Sequence, residues 1–447
     1  MAKAKFMNGE FSAKFKGKRK FVAEQMEAIK DYAARDDMQI NICPVIQERP
    51  SEKKNTEEQI TPTHFISGNL EHAVVAIYDN AGIPSFMHRF RKVTNKELFG
   101  GSDKTNAAFI IGDEEYDEIY ISVYENCEIN GKPYSLPMQK PWTGITNDEA
   151  ARACFSKGEG WHLMTRAEWG LLANLSLKNG TLPHGNTNYG KYHANPEEHG
   201  ESAGESGKTK TGSGPATWTH DHTLEGVHDL SGNVWEMVRG LRIKDGQLEM
   251  AKNNDAALDI DLTLEGDNWE PVRDDSGKSI RVSVSDGGIK FLAESDHEEG
   301  YDGCRWEDVN IDCESETLKE LALYPGEPEA YCYIDSTEGE YLPLCGGRWS
   351  NTSSAGVFSV SLEKSHGRKK RYSLYRNRSH PYAPGESKKG SRRFDGAGRI
   401  DEKTGVFTEF NGCSGRRTAW RVLCVDWEPP AWSIKVSRPG RIAMQDR

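Results

Sequence analysis

Apolar residues return along this chain at two spacings. From Thr146 to Lys157, and again from Thr165 to Leu177, they recur at the three-to-four-residue repeat of a helix with a buried face. Thr146 with Glu149, and Thr165 with Glu168, stand at the spacing of a capping box, where each side chain satisfies a main-chain N–H at the helix start. Asn179-Gly180 is a stop signal for the second helix. Elsewhere the apolar runs are short and bounded by turn residues. His72 to Tyr78, closed by Asp79-Asn80-Ala81-Gly82, and a basic stretch around His88 to Val93 predict a hairpin. Tyr120 to Tyr124 predicts a strand with Ile119 at its start, Asn130-Gly131 a tight turn, and Trp161 to Met164 another short strand. Near the start, Phe21, Met26 and Ile29 share one face of a helix predicted over Phe21 to Ala34.

These patterns divide the chain into three parts. Residues 1–62 are a lysine-rich start, the first helix and a polar, proline-bearing linker from Asn41 to Pro62. The lysines from Lys14 to Lys20 read first as a solvated tail, with docking onto an acidic partner or nucleic acid as the alternative. Residues 63–105 form a small β lead-in module. Residues 106–436 form one large domain, in which residues 180–225 are loop-rich in Gly, His, Asn, Ser and Thr. A long insertion at about 240–340 carries hairpin signals at Asp245-Gly246 and Asp286-Gly287-Gly288, which predict a small sheet of its own.

Composition narrows the class. With 44 Gly and 11 Trp among 447 residues, a turn-rich, irregular fold is favoured over a helical bundle. The net charge is -12, unevenly spread: Ile243 to Glu320 holds 22 acidic and 8 basic residues, and Lys364 to Arg393 holds 11 basic and one acidic. This balance disfavours nucleic acid as a partner. No apolar run is long enough to span a membrane. The first residues, Met1 to Phe6 and the lysines after them, lack the apolar core of a secretory signal, which predicts synthesis in the cytoplasm without a signal peptide. The nine cysteines include no C-x-x-C, so no zinc knuckle or redox motif is written here. His162, His184, His193, His199, His220, His222 and His228 match no tetrahedral spacing, although His220 and His222 would share one face of a strand.

Four motifs carry a family resemblance. Leu163-Met164-Thr165-Arg166-Ala167-Glu168-Trp169 resembles a helix-opening segment of the formylglycine-generating sulfatase-modifying family, and Asp229-Leu230-Ser231-Gly232-Asn233-Val234-Trp235-Glu236 is similar to its most diagnostic motif. Gly346-Gly347-Arg348-Trp349 resembles its Arg-Gly-Gly-Ser-Trp element, and Trp420-Arg421 resembles its closing strand. The resemblance spans roughly residues 110 to 425 and implies an α+β, C-type-lectin-like domain with long insertions, whose first strand, Tyr120 to Tyr124, lies near Val422 to Val425. By residue chemistry, Trp169, Trp235 and Trp349 read as structural aromatics. Glu168 reads as a helix-terminus acceptor, and Glu236 as a partner of backbone or of an arginine such as Arg421. Ser231-Gly232-Asn233 reads as a turn tolerant of positive φ.

The oxidase members of that family hold copper on a cysteine pair just after the Gly-Gly element. Here that stretch, Trp349 to Phe358, has no cysteine. It is similar instead to the variable region of proteins diversified by diversity-generating retroelements, which alternates scaffold and substituted positions. Ala355, Val357, Val360 and Leu362 read as scaffold, and Asn351, Ser353, Ser359 and Ser361 as exposed. The variable region is placed at about 344–380, with Arg376 and Arg421 as alternative closing arginines. The resemblance implies no enzyme activity and no cofactor. It implies a noncatalytic ligand- or receptor-binding protein associated with a virion, on a phage tail or prophage particle. The alternatives are a structural particle component and, less strongly, an oxidase relative. The expected binding residues are Trp349, Asn351, Ser353, Phe358, Ser359, Ser361, Glu363, His366, Arg368, Lys369, Arg371, Tyr372 and Tyr375. The expected partner is a host surface receptor, protein or acidic polymer, drawn by the basic loop, with self-association or particle attachment through residues 1–105.

Overall fold

The computed structural model describes residues 73–204, 207–293 and 296–364, together with the strands Ala2–Asn8, Phe11–Gly17, Phe65–Gly68, Asn377–Ser379, Trp432–Val436 and Ile442–Asp446. The fold is mixed α+β, with two main sheets and short helices between them. The predicted helix over Phe21 to Ala34 and the segment Trp420 to Val425 lie outside the described residues. Ala2–Asn8 and Phe11–Gly17 pair as an antiparallel hairpin, so Lys14 and Lys16 of the stretch expected to be a tail stand in a strand, and residues 18–20 lie outside the described residues.

The first sheet has six strands in the order His162–Leu163, Asn377–Ser379, Glu118–Ser122, Pro84–Arg91, Ala73–Tyr78, Phe65–Gly68. Every pairing in it is antiparallel. The expected hairpin is therefore present, and its second strand is hydrogen-bonded to Glu118–Ser122 of the following region. Its turn is built by Asp79, whose Oδ1 accepts the N–H groups of Ala81 and Ile83, both at 2.9 Å. Asn130 and Gly131, at φ 55° and 77°, make the two-residue turn between Asn126–Ile129 and Lys132–Ser135. The strand Glu118–Ser122 pairs with Asn377–Ser379, the residues directly after Arg376.

Four α-helices are described: α1 (Asn95–Phe99), α2 (Asn147–Phe155), α3 (Arg166–Asn179) and α4 (Glu316–Glu320). The expected capping boxes close the starts of α2 and α3, and Gly180 ends α3 in the left-handed conformation. Helix α1 has the same box, Thr94 with Glu97, and a left-handed Gly100 at its end. Helix α3 is not a one-faced helix lying on a sheet. Ten of its residues, from Arg166 through Ser176, are buried. Asn174 donates to Lys319 O, and the Arg166 guanidinium donates to Leu321 O and Ala322 O at the end of α4.

The second sheet corrects the expectation of a small separate sheet in the insertion. It has eleven strands, and its main path runs Tyr301–Arg305, Tyr331–Asp335, Val360–Lys364, Glu340–Cys345, Leu241–Lys244, Gln247–Met250, Ile280–Ser285, Gly288–Ala293, Asn310–Asp312. Strands of the acidic insertion and of the region after it thus belong to one sheet. The two expected turns are there, at Asp245-Gly246 and before Gly288. The reason for the merger is burial. Val282, Phe291, Trp306, Cys332 and Ile334 of the insertion share one core with Trp169 and Leu172 of α3 and with Val357, Val360 and Leu362. An ion-pair cluster of Arg242 with Glu249 and Glu340, at 2.7 and 2.8 Å, ties the insertion's first hairpin to the strand Glu340–Cys345.

Candidate functional site

The motif around Asn233 and the Gly-Gly element, more than a hundred residues apart in sequence, meet in space. Gly232 N–H donates to Gly346 O at 2.9 Å, and Trp349 N–H donates to Asn233 O at 3.0 Å. The close approach depends on glycine at Gly346: at φ 86°, a Cβ there would lie 2.7 Å from Leu230 O. Asn233, at φ 49°, holds the site from inside. Its Nδ2 donates to Glu125 Oε2 at 2.7 Å, and its Oδ1 accepts Thr209 N–H at 2.9 Å and Asn186 Nδ2 at 3.1 Å. A fully buried amide with partners on both ends fixes the loops it joins.

Those loops bring residues 184–204 and 207–209 against residues 346–358. Tyr189 N–H donates to Trp349 O at 2.8 Å, and Thr352 N–H donates to Thr187 O at 3.0 Å. Tyr189 and Thr352 both take the left-handed backbone region, at φ 51°, which is uncommon outside glycine. Tyr189 remains 63% exposed and stands edge-on to the half-buried Trp349, with ring centroids 4.7 Å apart. The backbone of Gly207 lies against the indole. In the same stretch of chain, His184 stacks on Tyr192 at 4.1 Å, and its Nδ1 meets Glu198 Oε2 at 2.9 Å. Glu198 also accepts from Thr217 Oγ1 and Trp218 Nε1, and hydrogen bonds from His184 and Thr217 hold its carboxyl below the usual range against the effect of burial.

The expected binding residues divide. Trp349, Asn351, Ser353 and Glu363 are half-buried and reach the surface, with Arg348 exposed among them. Asn351 Oδ1 accepts Arg348 N–H at 2.9 Å, which shapes the turn. The expected exposure of Ser359 and Ser361 is corrected: both are buried, Ser361 in a strand with a neighbour on each side and Ser359 at its start. Ser359 Oγ donates to Ser354 O at 2.6 Å, an internal fastening. Phe358 is fully buried, with its N–H on Glu327 Oε2 and its O accepting Trp306 Nε1 at 2.8 Å. Burial pushes the Glu327 carboxyl up to about 7, and the Phe358 and Val357 N–H groups oppose that shift. His366, Arg368, Lys369, Arg371, Tyr372 and Tyr375 lie outside the described residues.

His162, His193 and His220 are held by internal hydrogen bonds. His162 Nε2 meets Glu168 Oε1 at 3.0 Å, His193 meets Thr187 Oγ1, and His220 Nδ1 accepts Val227 N–H. His220 and His222 lie in a turn rather than on a strand, with His222 at φ 55°. Among the described residues, no group of three or more His, Cys, Asp and Glu is arranged to hold a metal ion. Cys345 is buried, and its sulfur accepts from the Arg166 guanidinium at 2.9 Å. A separate cleft of about 250 Å³ lies between α2 and the loop 259–263, walled by Asp148, Phe155, Arg239, Asp261 and Trp269. Arg239 gives its guanidinium to the carbonyls of Ala256, Leu258 and Ile260 there.

Sequence reasoning missed Tyr189 as a member of this face. The signal available was Asn188-Tyr189-Gly190, a turn that carries an aromatic between two turn formers. No protein-family model matches this chain, and no curated protein matches it.

Proposed function

We propose that this is a noncatalytic ligand- or receptor-binding protein whose recognition face is the loop Gly346 to Phe358 with the Tyr189 to His193 loop packed on it. The observation that carries this reading is the exposed Tyr189 against Trp349 on a backbone locked by Asn233. Rigid aromatics rimmed by Asn351, Ser353 and Arg348 supply contact area at low entropic cost, and the polar groups adapt to a partner. The C-type-lectin-like assignment rests on the sequence motifs, and the direct bonding of the Asp229 to Glu236 motif to the Gly-Gly element supports it. The pairing of Glu118–Ser122 with Asn377–Ser379 favours Arg376 over Arg421 as the closing arginine. Display on a phage or prophage particle, with a host surface protein or acidic polymer as partner, follows from the same resemblance.

The test is a paired variant, Tyr189→Ala with Trp349→Ala, scored for melting temperature and for binding to candidate host cells and surface polymers that retain the wild-type chain. A near-native melting temperature with binding reduced by a factor of a hundred or more, about 3 kcal/mol for two anchors, is the expected result. Full retention of binding by a folded variant moves the recognition face elsewhere.

A further inference from the structure

We propose that Cys304 and Cys332 form a redox-sensitive pair that closes into a cross-strand disulfide when the folded protein meets a small-molecule disulfide oxidant. In the antiparallel pairing of Tyr301–Arg305 with Tyr331–Asp335, Cys304 stands directly opposite Cys332. Opposed residues of antiparallel strands have Cα atoms about 4.5 or 5.5 Å apart, and both spacings fall inside the range a disulfide spans. Side chains alternate across a strand, so the two thiols share one face. That face is the core side: Cys332 and Ile334 are fully buried, and Cys304 packs against the same cluster. On the opposite face Tyr333 lies over Gly303, where an added Cβ would meet its ring at 2.4 Å. Gly303 and Tyr333 are opposed in the same register.

The two thiols differ in access. Cys332 is buried, and Cys304 on the edge strand is half-buried. Cys304 therefore attacks first. Its thiolate displaces one thiol from the oxidant and forms a mixed disulfide. The Cys332 sulfur then attacks the Cys304 sulfur and releases the second thiol. Two protein S–H bonds and one S–S bond of the oxidant are consumed, and one protein S–S bond and two small thiols are formed. Burial, with Asp302 and Asp308 nearby, pushes the Cys304 thiol up to about 11, so the first step is slow at neutral pH and accelerates as pH rises. The product clamps the sheet's edge strand to its neighbour and closes a loop of about 28 residues, which restricts the unfolded chain. This pairing stands independently of whether the Gly346 to Phe358 loop binds a ligand.

The experiment treats the full-length folded protein with millimolar oxidised glutathione at pH 8, blocks free thiols, and maps peptides by mass spectrometry without reduction. The expected product is a Cys304–Cys332 linked peptide pair, two hydrogens lighter than the separate peptides and released by dithiothreitol. The oxidised protein should melt roughly 5 °C higher than the reduced protein, and Cys304→Ala should show no rise on oxidation. Free thiols at both positions after the treatment, a persistent glutathione adduct on Cys304, or a link from either residue to a different cysteine each overturn the proposal. The mapping uses the wild-type chain, so its outcome does not depend on the variant folding.

Discussion

Single side chains in this protein show how burial decides between chemistries that composition leaves equal. Lys157 is fully buried. Its ammonium donates to Ser85 Oγ at 2.8 Å and sits 3.6 Å from the centre of the Trp161 ring and 4.4 Å from that of Tyr134. Burial lowers its pKa from 10.5 to about 7, with the Cys154 sulfur and the Asp79 carboxylate opposing the shift. Between those two values the unfolded chain holds a proton that the folded chain has released, so this group makes stability rise with pH through that window. Lys157→Met should therefore flatten the slope of unfolding free energy against pH from 7 to 10, as read by denaturant titrations of both proteins. An unchanged slope would show that the ammonium stays charged between the two rings. Trp235 makes the opposite case, an apolar side chain placed by the sequence in the core. It packs with Ile145, Ala150, Leu163 and Leu344 and stands edge-on to Tyr333 at 6.2 Å. Trp235→Ala should cost about 3–5 kcal/mol through the cavity it leaves, measured as a lowered denaturation midpoint.

At the scale of elements, local signals were reliable where the interacting groups are close in sequence. Thr146 with Glu149 and Thr165 with Glu168 cap their helices as their spacing indicates, and Thr94 with Glu97 followed by Gly100 carries the same readable signature for α1. The surroundings of α3 were not readable. Gly170 lies in that helix where a Cβ would fall 1.9 Å from Glu320 O, so the backbone at the end of α4 occupies the space a side chain needs. Helix propensity favours alanine over glycine by about 1 kcal/mol, and overpacking against a fixed backbone costs about 1–3 kcal/mol or more. The clash wins, and Gly170→Ala should destabilise the protein, with thermal unfolding at a lower temperature than wild type. A variant that melts higher would mean that α4 yields. Of the candidate face, the sequence located the Gly-Gly turn and Trp349, and it misassigned Ser359 and Ser361. Their alternation with apolar neighbours resembles a one-sided strand, but Val360–Lys364 lies between two other strands, and Val360, Ser361 and Leu362 are buried whichever face they take.

For the whole molecule, the acidic insertion is part of the frame. Trp306 Nε1 holds Phe358 O, Arg242 joins Glu249 to Glu340, and the strand Tyr331–Asp335 pairs in parallel with Val360–Lys364. Removal of residues 245–335 should therefore leave a chain without a cooperative thermal transition, because the strand Val360–Lys364 and helix α3 lose their cover. A soluble remainder with a sharp transition would show that the rest of the molecule is self-sufficient. Local sequence alone places the helix caps, the turns at Asn130-Gly131, Asp245-Gly246 and Gly232-Asn233, and the burial of Trp169 and Trp235. Each of those follows from steric limits on φ, from hydrogen bonds spanning three or four residues, or from the size of an apolar side chain. The shared sheet that the insertion completes, the meeting of Tyr189 with Trp349, and the pairing of Cys304 opposite Cys332 arise only in the folded chain. Those outcomes depend on strand register and on contacts between distant segments, where a shift of one residue turns every side chain to the other face and no local pattern records which register has the lower free energy.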